Sequence, residues 1–157
     1  MSRPQPLDEL YALPGHLIRR VQQISTALFA EECGSFDLTS VQYAALVAIQ
    51  AVPEVDATRL SALIAFDRST LGDVLERLET KGWVARAPSR QDRRVKRLTL
   101  TPEGMRVVRE VEPGMRRVQE RLLAPLAPEE GEALVRLLAR IADVHNDVLP
   151  APLRATG

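Results

Sequence analysis

Between Asp56 and Gly82 the chain writes two short helices with almost no chain between them, an arrangement few folds accommodate. Asp56 is a favourable N-cap. Leu60, Leu63 and Ile64 recur after it at helical spacing, which predicts a helix over 57–64. Ala65 and Phe66 form a tight turn. Asp67 then caps a second helix over 68–81, whose inward face is Leu71, Val74, Leu75 and Leu78. Gly82 falls just past that helix, where a positive φ is needed. Two capped helices joined by a tight turn make a helix-turn-helix.

Residues 83–87 and 95–100 read as two strands, and the loop between them, PSRQDRR, is polar and basic. The pair predicts a β-hairpin of the wing type. The formal net charge of the 157-residue chain is zero. Its distribution is uneven: from Arg77 to Arg97 eight basic residues face two acidic ones, a local charge of +6. A basic patch is the electrostatic footprint of phosphate binding whatever the total charge. The competing reading is a solvated charged hairpin.

The flanks are helical. A first helix is expected over 7–33, interrupted near Pro14 and Gly15, with Leu17, Val21, Ile24 and Leu28 in one stripe and Ile18, Ser25 and Phe29 beside it. After Gly34 and Ser35, the run Thr39-Ser40-Val41-Gln42 is a capping box that opens a helix to Ala51. Thr101-Pro102-Glu103 starts a helix to about Leu123 carrying Val108, Val111, Met115, Val118 and Leu122, with a bend expected at Pro113. Pro128 starts a last helix, with Leu134, Leu137, Leu138, Ile141, His145 and Val148 on one face and a loose tail after Pro150. These terminal helices are more apolar than one small chain can bury, which predicts a homodimer. A two-fold pair also suits palindromic DNA. The expected fold is mainly α: a winged helix-turn-helix with a two-stranded β wing and a helical dimerisation region.

Several function classes are excluded. One cysteine and two histidines leave few ligands for a metal cage, and no cofactor is expected. No glycine loop, nucleophile elbow or metal signature of an enzyme is present. No apolar run approaches the ~20 residues that span a membrane, and MSRPQPLDEL lacks the apolar core of a signal peptide. A cytoplasmic protein that is not an enzyme and does not bind membranes is expected.

The segment LTSVQYAAL, residues 38–46, resembles the second-helix signature of MarR-type regulators. DRSTLGDVLERLETKG, residues 67–82, resembles their recognition helix. QDRR at 91–94, followed by LTLTPEG at 98–104, resembles their wing and the start of the next helix. The resemblance spans about residues 7–148. It implies one MarR-type domain over 1–157, with dimerisation helices at 7–33 and 102–148 and a DNA-binding lobe at 38–100. PGHLIRRVQQISTALFAEEC and VQYAALVAI are similar to the branch that regulates aromatic-acid catabolism, nicotinate-degradation repressors in particular. The implied partners are a palindromic operator in double-stranded DNA, a second copy of the chain, and a small aromatic acid that releases the repressor. An architectural or redox-sensing DNA-binding protein of the same fold is the alternative.

A recognition helix sets its N-terminal residues in the major groove. The outward positions are Arg68, Ser69, Thr70, Asp73 and Arg77. Arg68 suits a bidentate contact to guanine, and the two hydroxyls suit either base type. Asp73 either accepts from a cytosine amine or orients Arg77 one turn on; the second is favoured. Arg77 and Lys81 lie further along and are expected on phosphate. At the wing, the resemblance implies that Arg94 enters the minor groove with its guanidinium held by Asp92. Asp92 could equally cap the hairpin turn. Arg90, Arg93, Lys96 and Arg97 then meet phosphate.

The family binds aromatic anions between the dimer helices and the DNA-binding lobe. The candidates there are His16, Arg19, Arg20, Ser25, Phe29 and Tyr43. A carboxylate needs a cation and donors, and a ring needs an apolar wall. His145 reads as an interface histidine. Some family members sense peroxide through a thiolate. Cys33 follows Glu31 and Glu32 at a helix end, where charge and dipole should raise its pKa.

Overall fold

The computed structural model describes residues 6–149 and 151–154. A short helix α1 (Pro6–Tyr11) leads into α2 (Pro14–Cys33), so the break falls at the expected Pro14. A 3-10 turn, Gly34–Phe36, turns the chain into α3 (Ser40–Ala51). The Thr39 capping box is formed in both directions: the Gln42 amide donates to Thr39 Oγ1 at 3.2 Å, and the Thr39 amide donates to Gln42 Oε1 at 3.1 Å. There follow strand β1 (Val55–Asp56), helices α4 (Ala57–Ile64) and α5 (Arg68–Thr80), and strands β2 (Val84–Pro88) and β3 (Lys96–Leu100). Helices α6 (Pro102–Leu123) and α7 (Pro128–Val144) complete the regular structure. Helix α6 runs on as one helix through Pro113.

The sheet is antiparallel in the order β1-β3-β2, with Val55 opposite Leu98 and Val84 opposite Leu100. The hairpin is the expected wing. The third strand is an addition: two residues carry no readable alternation, and pairing with β3 alone makes them a strand. Glu54, at φ 62°, turns the chain into it.

The core lies where α3, α4, α5 and α6 meet the sheet. Leu46, Leu60, Leu71 and Leu78 are fully buried there, with Ile49, Leu75, Leu98, Val107 and Val111 around them. Asp56 caps α4 through the Arg59 amide at 2.8 Å, and Asp67 caps α5 through the Thr70 amide at 3.2 Å. Helix α5 ends in a Schellman motif: the Trp83 amide donates to the Leu78 carbonyl, the Gly82 amide to that of Glu79, and Gly82 sits at φ 75°.

The α4–α5 turn reaches the same left-handed geometry without glycine. Ala65 adopts φ 49°, ψ 48°. An L-residue there costs roughly 1–2 kcal/mol, whereas glycine loses about 0.5–1 kcal/mol more backbone entropy on folding. Ala65→Gly should therefore raise stability by about 0.5–1 kcal/mol, measured as a higher denaturant midpoint at unchanged slope. An unchanged or lower midpoint would show that the turn is not strained.

The end of the chain departs from expectation. The tail after Pro150 is expected to be loose, yet its residues 151–154 lie against α4. The Arg154 amide donates to the Ala62 carbonyl at 2.7 Å. The Arg59 guanidinium donates to the Arg154 carbonyl at 2.7 Å. These contacts join positions 92 and 95 residues apart, beyond the reach of any local signal.

Candidate nucleic-acid interface

The candidate interface has three adjoining elements: α5 and the wing, which carry the residues expected to read DNA, and α4 beside them. Arg68, Asp73 and Arg77 are exposed along α5, opposite its buried leucines. The two hydroxyls at the start of α5 are already engaged. Ser69 Oγ donates to the Asp67 carboxylate, and Thr70 Oγ1 does so at 3.1 Å. These bonds, the Ser69 hydroxyl first, hold the Asp67 carboxyl below its usual value. Either hydroxyl must leave Asp67 to donate to a base; as acceptors they remain open.

The wing tip is closed from within. Ser89, though polar, is buried; it donates from Oγ to Gln91 Oε1 at 2.8 Å and accepts from the Gln91 amide. Asp92 Oδ1 accepts from the Arg94 amide at 3.0 Å and from Arg94 Nε at 3.2 Å. The two readings of Asp92 therefore coexist: one oxygen caps the turn and also holds the guanidinium. The Arg94 side chain remains 92% exposed, so it projects from the wing.

Charge is used differently in the two halves of the molecule. On α6, Arg106 pairs with Glu103 and Glu110, Arg116 with Glu112, and Arg117 and Arg121 with Glu32 of α2. The hydrogen bonds from Arg117 and Arg121, in that order, hold the Glu32 carboxyl below its usual value. By contrast, among the described residues Arg68, Arg77, Arg90, Arg93 and Lys96 make no ion pair. Arg94 pairs only with its own wing neighbour. Those five side chains have no carboxylate partner among the described residues, whereas Arg86 on β2 pairs with Glu79 at 2.8 Å.

Three expectations are corrected. Asp73 and Arg77 form no ion pair, so Asp73 does not orient Arg77. Lys81 turns away from the surface: its ammonium donates to the Asp37 carbonyl, pairs with the Asp37 carboxylate at 3.5 Å and lies 4.7 Å above the Trp83 ring. Arg97 is turned toward β1, 3.6 Å from Asp56 Oδ2 and 3.4 Å from the Glu54 carbonyl. Asp37 and Glu54 lie 44 and 43 residues from these cations, which is why sequence spacing could not pair them.

A cleft of about 620 Å³ runs between α4, the start of α5 and the wing. Arg68, Arg94 and Lys96 are expected residues on its walls. Arg59, Arg86 and Arg154 stand there too, and sequence reasoning missed them. Arg86 was legible as a basic strand residue beside the wing; the other two had no local signal.

A MarR family model matches residues 36–95. The transcriptional repressor NicR of Pseudomonas putida is 30% identical over 129 residues, 82% of this chain and 82% of its own length. The chain belongs to the MarR family. Among solved structures, PcaV of Streptomyces coelicolor in complex with its natural ligand is 36% identical with a TM-score of 0.81, covering 91% of this chain and 98% of that one. BpsR of Bordetella bronchiseptica, whose DNA binding is regulated by 6-hydroxynicotinic acid, is 29% identical with a TM-score of 0.82, covering 90% and 99%. Such MarR relatives are transcriptional regulators rather than enzymes. No helix among the described residues is long and apolar enough to cross a membrane.

The effector candidates of this MarR chain fall into two groups. Phe29 is buried, and Tyr43 packs half-buried against the core, where burial chiefly pushes its phenol up. Ser25 is half-buried one turn before Phe29. Further up α2, His16 is half-buried and Arg20 exposed, and His16 contacts Arg19 at 3.4 Å and the Tyr11 ring at 5.5 Å. At 1.5 Å per residue, His16 and Phe29 stand about 20 Å apart along the helix. One small ring within a single protomer cannot touch both.

Cys33 is almost fully buried. Its thiol is raised chiefly by burial and secondarily by Glu32, so desolvation outweighs the charge effect expected from sequence. A buried, raised thiol lacks the thiolate character that peroxide sensing requires.

Proposed function

We propose that this chain is a cytoplasmic transcriptional repressor that binds a palindromic operator in double-stranded DNA as a homodimer and is released by a small aromatic carboxylate. The observation that carries the DNA reading is the row of unpaired cations on α5 and the wing. In this reading Arg68, with Ser69, Thr70 and Asp73, faces the major groove, and Arg77, further along α5, meets phosphate. Arg94, held by Asp92, enters the minor groove, where arginine reads groove width more than base identity. Arg90, Arg93 and Lys96 meet phosphate, which positions the protein without specifying sequence.

Helices α2 and α7, with α6, form the dimerisation region around the lobe at 38–100. Leu17, Ile18, Val21 and Ile24 on α2 are exposed in the single chain. Leu134, Leu137, Leu138 and Ile141 on α7 are exposed as well, and that helix buries only Gly131. A second copy covers these faces. Light scattering at micromolar concentration should report twice the chain mass; a monomer would remove the dimer from the account.

BpsR, whose DNA binding is regulated by 6-hydroxynicotinic acid, supports an aromatic-acid effector, and PcaV in complex with its natural ligand supports a small-molecule one. The carboxylate is placed beside Arg20 and the ring toward Ser25, Phe29 and Tyr43; His16, about 20 Å from Phe29 along α2, stands outside the reach of that ring. A ligand shifts the dimer only if it binds one spacing of the recognition helices better than the other. Half-sites on B-DNA lie about 34–36 Å apart, so a ring wedged between α2 and α3 opposes that spacing. Coupling is reciprocal and typically about 5–150-fold. Arg20→Ala should leave operator binding near normal and abolish release by benzoate, nicotinate and their hydroxylated derivatives, read by calorimetry and by DNA titration. A variant that still responds normally would overturn the pocket.

A further inference from the structure

Beyond the end of α7 the segment 151–154 lies against α4, beside the cleft, and nothing in the helix-turn-helix or wing accounts for it. It is fixed at Leu153 and Arg154. Asn146 clamps Leu153 in both directions, its side-chain amide donating to the Leu153 carbonyl at 3.0 Å and its Oδ1 accepting from the Leu153 amide at 2.8 Å. One residue on, the Arg154 backbone joins α4 through the bonds to Ala62 and Arg59. This strap carries the Arg154 side chain onto the wall of the cleft that Arg68, Arg94 and Lys96 also line.

We propose that the strap is part of the DNA interface, with Arg154 contacting the sugar-phosphate backbone between the recognition helix and the wing. The inference rests on the DNA reading above and extends it to a fourth element. The first argument is charge: the cleft walls carry six cationic side chains and one carboxylate, Asp56; Arg86, Arg94 and Arg154 each have a carboxylate partner, in Glu79, Asp92 and Asp147, while Arg68 and Lys96 have none among the described residues. An unfilled cleft of that sign repels itself, and a polyanion relieves the repulsion. The second argument is continuity. Arg68 and Arg94 bracket the cleft, so a backbone that meets both must pass along it. The third is the state of Arg154. Its guanidinium is half-exposed and pairs, within the described residues, with one exposed carboxylate, Asp147, at 2.8 Å. An exposed pair of this kind is worth little and exchanges readily for a phosphate.

The test is the salt dependence of operator affinity. Each phosphate neutralised on B-DNA contributes about 0.9 to the slope of log affinity against log salt. Removing one contact from each half of a two-fold complex should lower the slope by about two. Arg154→Gln is expected to show that loss and weaker binding, and Arg154→Lys to keep the wild-type slope. Asp147→Asn, which frees the guanidinium, should tighten binding. Equal slopes for Arg154→Gln and wild type would overturn the strap contact while leaving the DNA reading intact. Weaker binding in both Asp147→Asn and Arg154→Gln at an unchanged slope would make the strap a mere tether and overturn the contact equally. A wild-type protein without salt-dependent binding would overturn the DNA reading and the strap with it.

Discussion

Arg94→Ala should weaken binding to every operator by at least about 100-fold while leaving the preferred sequence unchanged. Hydrogen bonds to charged groups contribute about 1.5–3 kcal/mol each. A two-fold complex loses one from each wing, so the total is about 3–6 kcal/mol, and each 1.4 kcal/mol is tenfold. Among the described residues the Arg94 guanidinium is held by Asp92 alone, and its side chain is 92% exposed. Asp92→Ala should reproduce part of the effect, because the guanidinium and the turn then lose their common anchor. Arg68→Ala should behave differently, changing base preference at one position of each half-site by roughly 1–3 kcal/mol. Binding measured against a panel of singly substituted operators separates the two. If Arg68→Ala lowers affinity uniformly and leaves every base preference intact, Arg68 reads phosphate rather than a base.

The second large effect concerns the joint that sets α6 against the wing. Gly104 lies in the first turn of α6, where Thr101 caps it at 3.0 Å and also bonds the Gly82 and Trp83 carbonyls. A Cβ at Gly104 would sit 2.1 Å from the Trp83 carbonyl oxygen and 3.0 Å from its carbon. Both are backbone atoms that cannot rotate away. Alanine gains about 1 kcal/mol over glycine from helix propensity, but overpacking costs typically 1–3 kcal/mol and more where backbone must move. Gly104→Ala is therefore expected to destabilise by about 2 kcal/mol or more, read from denaturant unfolding. Gly72, inside α5, is the matched control. Nothing lies within 4 Å of its added Cβ, so Gly72→Ala should stabilise by about 1 kcal/mol. A gain in both variants would show that α6 does not press on Trp83.

The parts of the fold legible in the sequence are those fixed by neighbours in the chain. Thr39 with Gln42, Asp56, Asp67, Thr101 and Gly82 each act within about one turn, and each caps or ends its helix where the sequence places it. The unread parts depend on distant partners. Strand β1 exists because β3 pairs with it. Lys81 leaves the surface because Asp37 and Trp83 are there to receive it. The strap docks because Ala62 and Arg59 supply bonds across most of the chain. Ala65 falls between the two cases: the turn was legible, but its left-handed φ was not, because the residue is not glycine. The candidate effector residues other than Tyr43 share one helix in sequence, and the length of that helix separates His16 from Phe29.

The central claim is that α5 and the wing form a sequence-specific DNA interface. Footprinting of the wild-type protein on the DNA upstream of its own gene tests it most directly. The account predicts one discrete protected palindrome, with half-site centres about one helical turn apart. Arg94→Ala should lose that footprint at the same concentration. Uniform protection along the fragment, or no protection at micromolar protein in low salt, would contradict it.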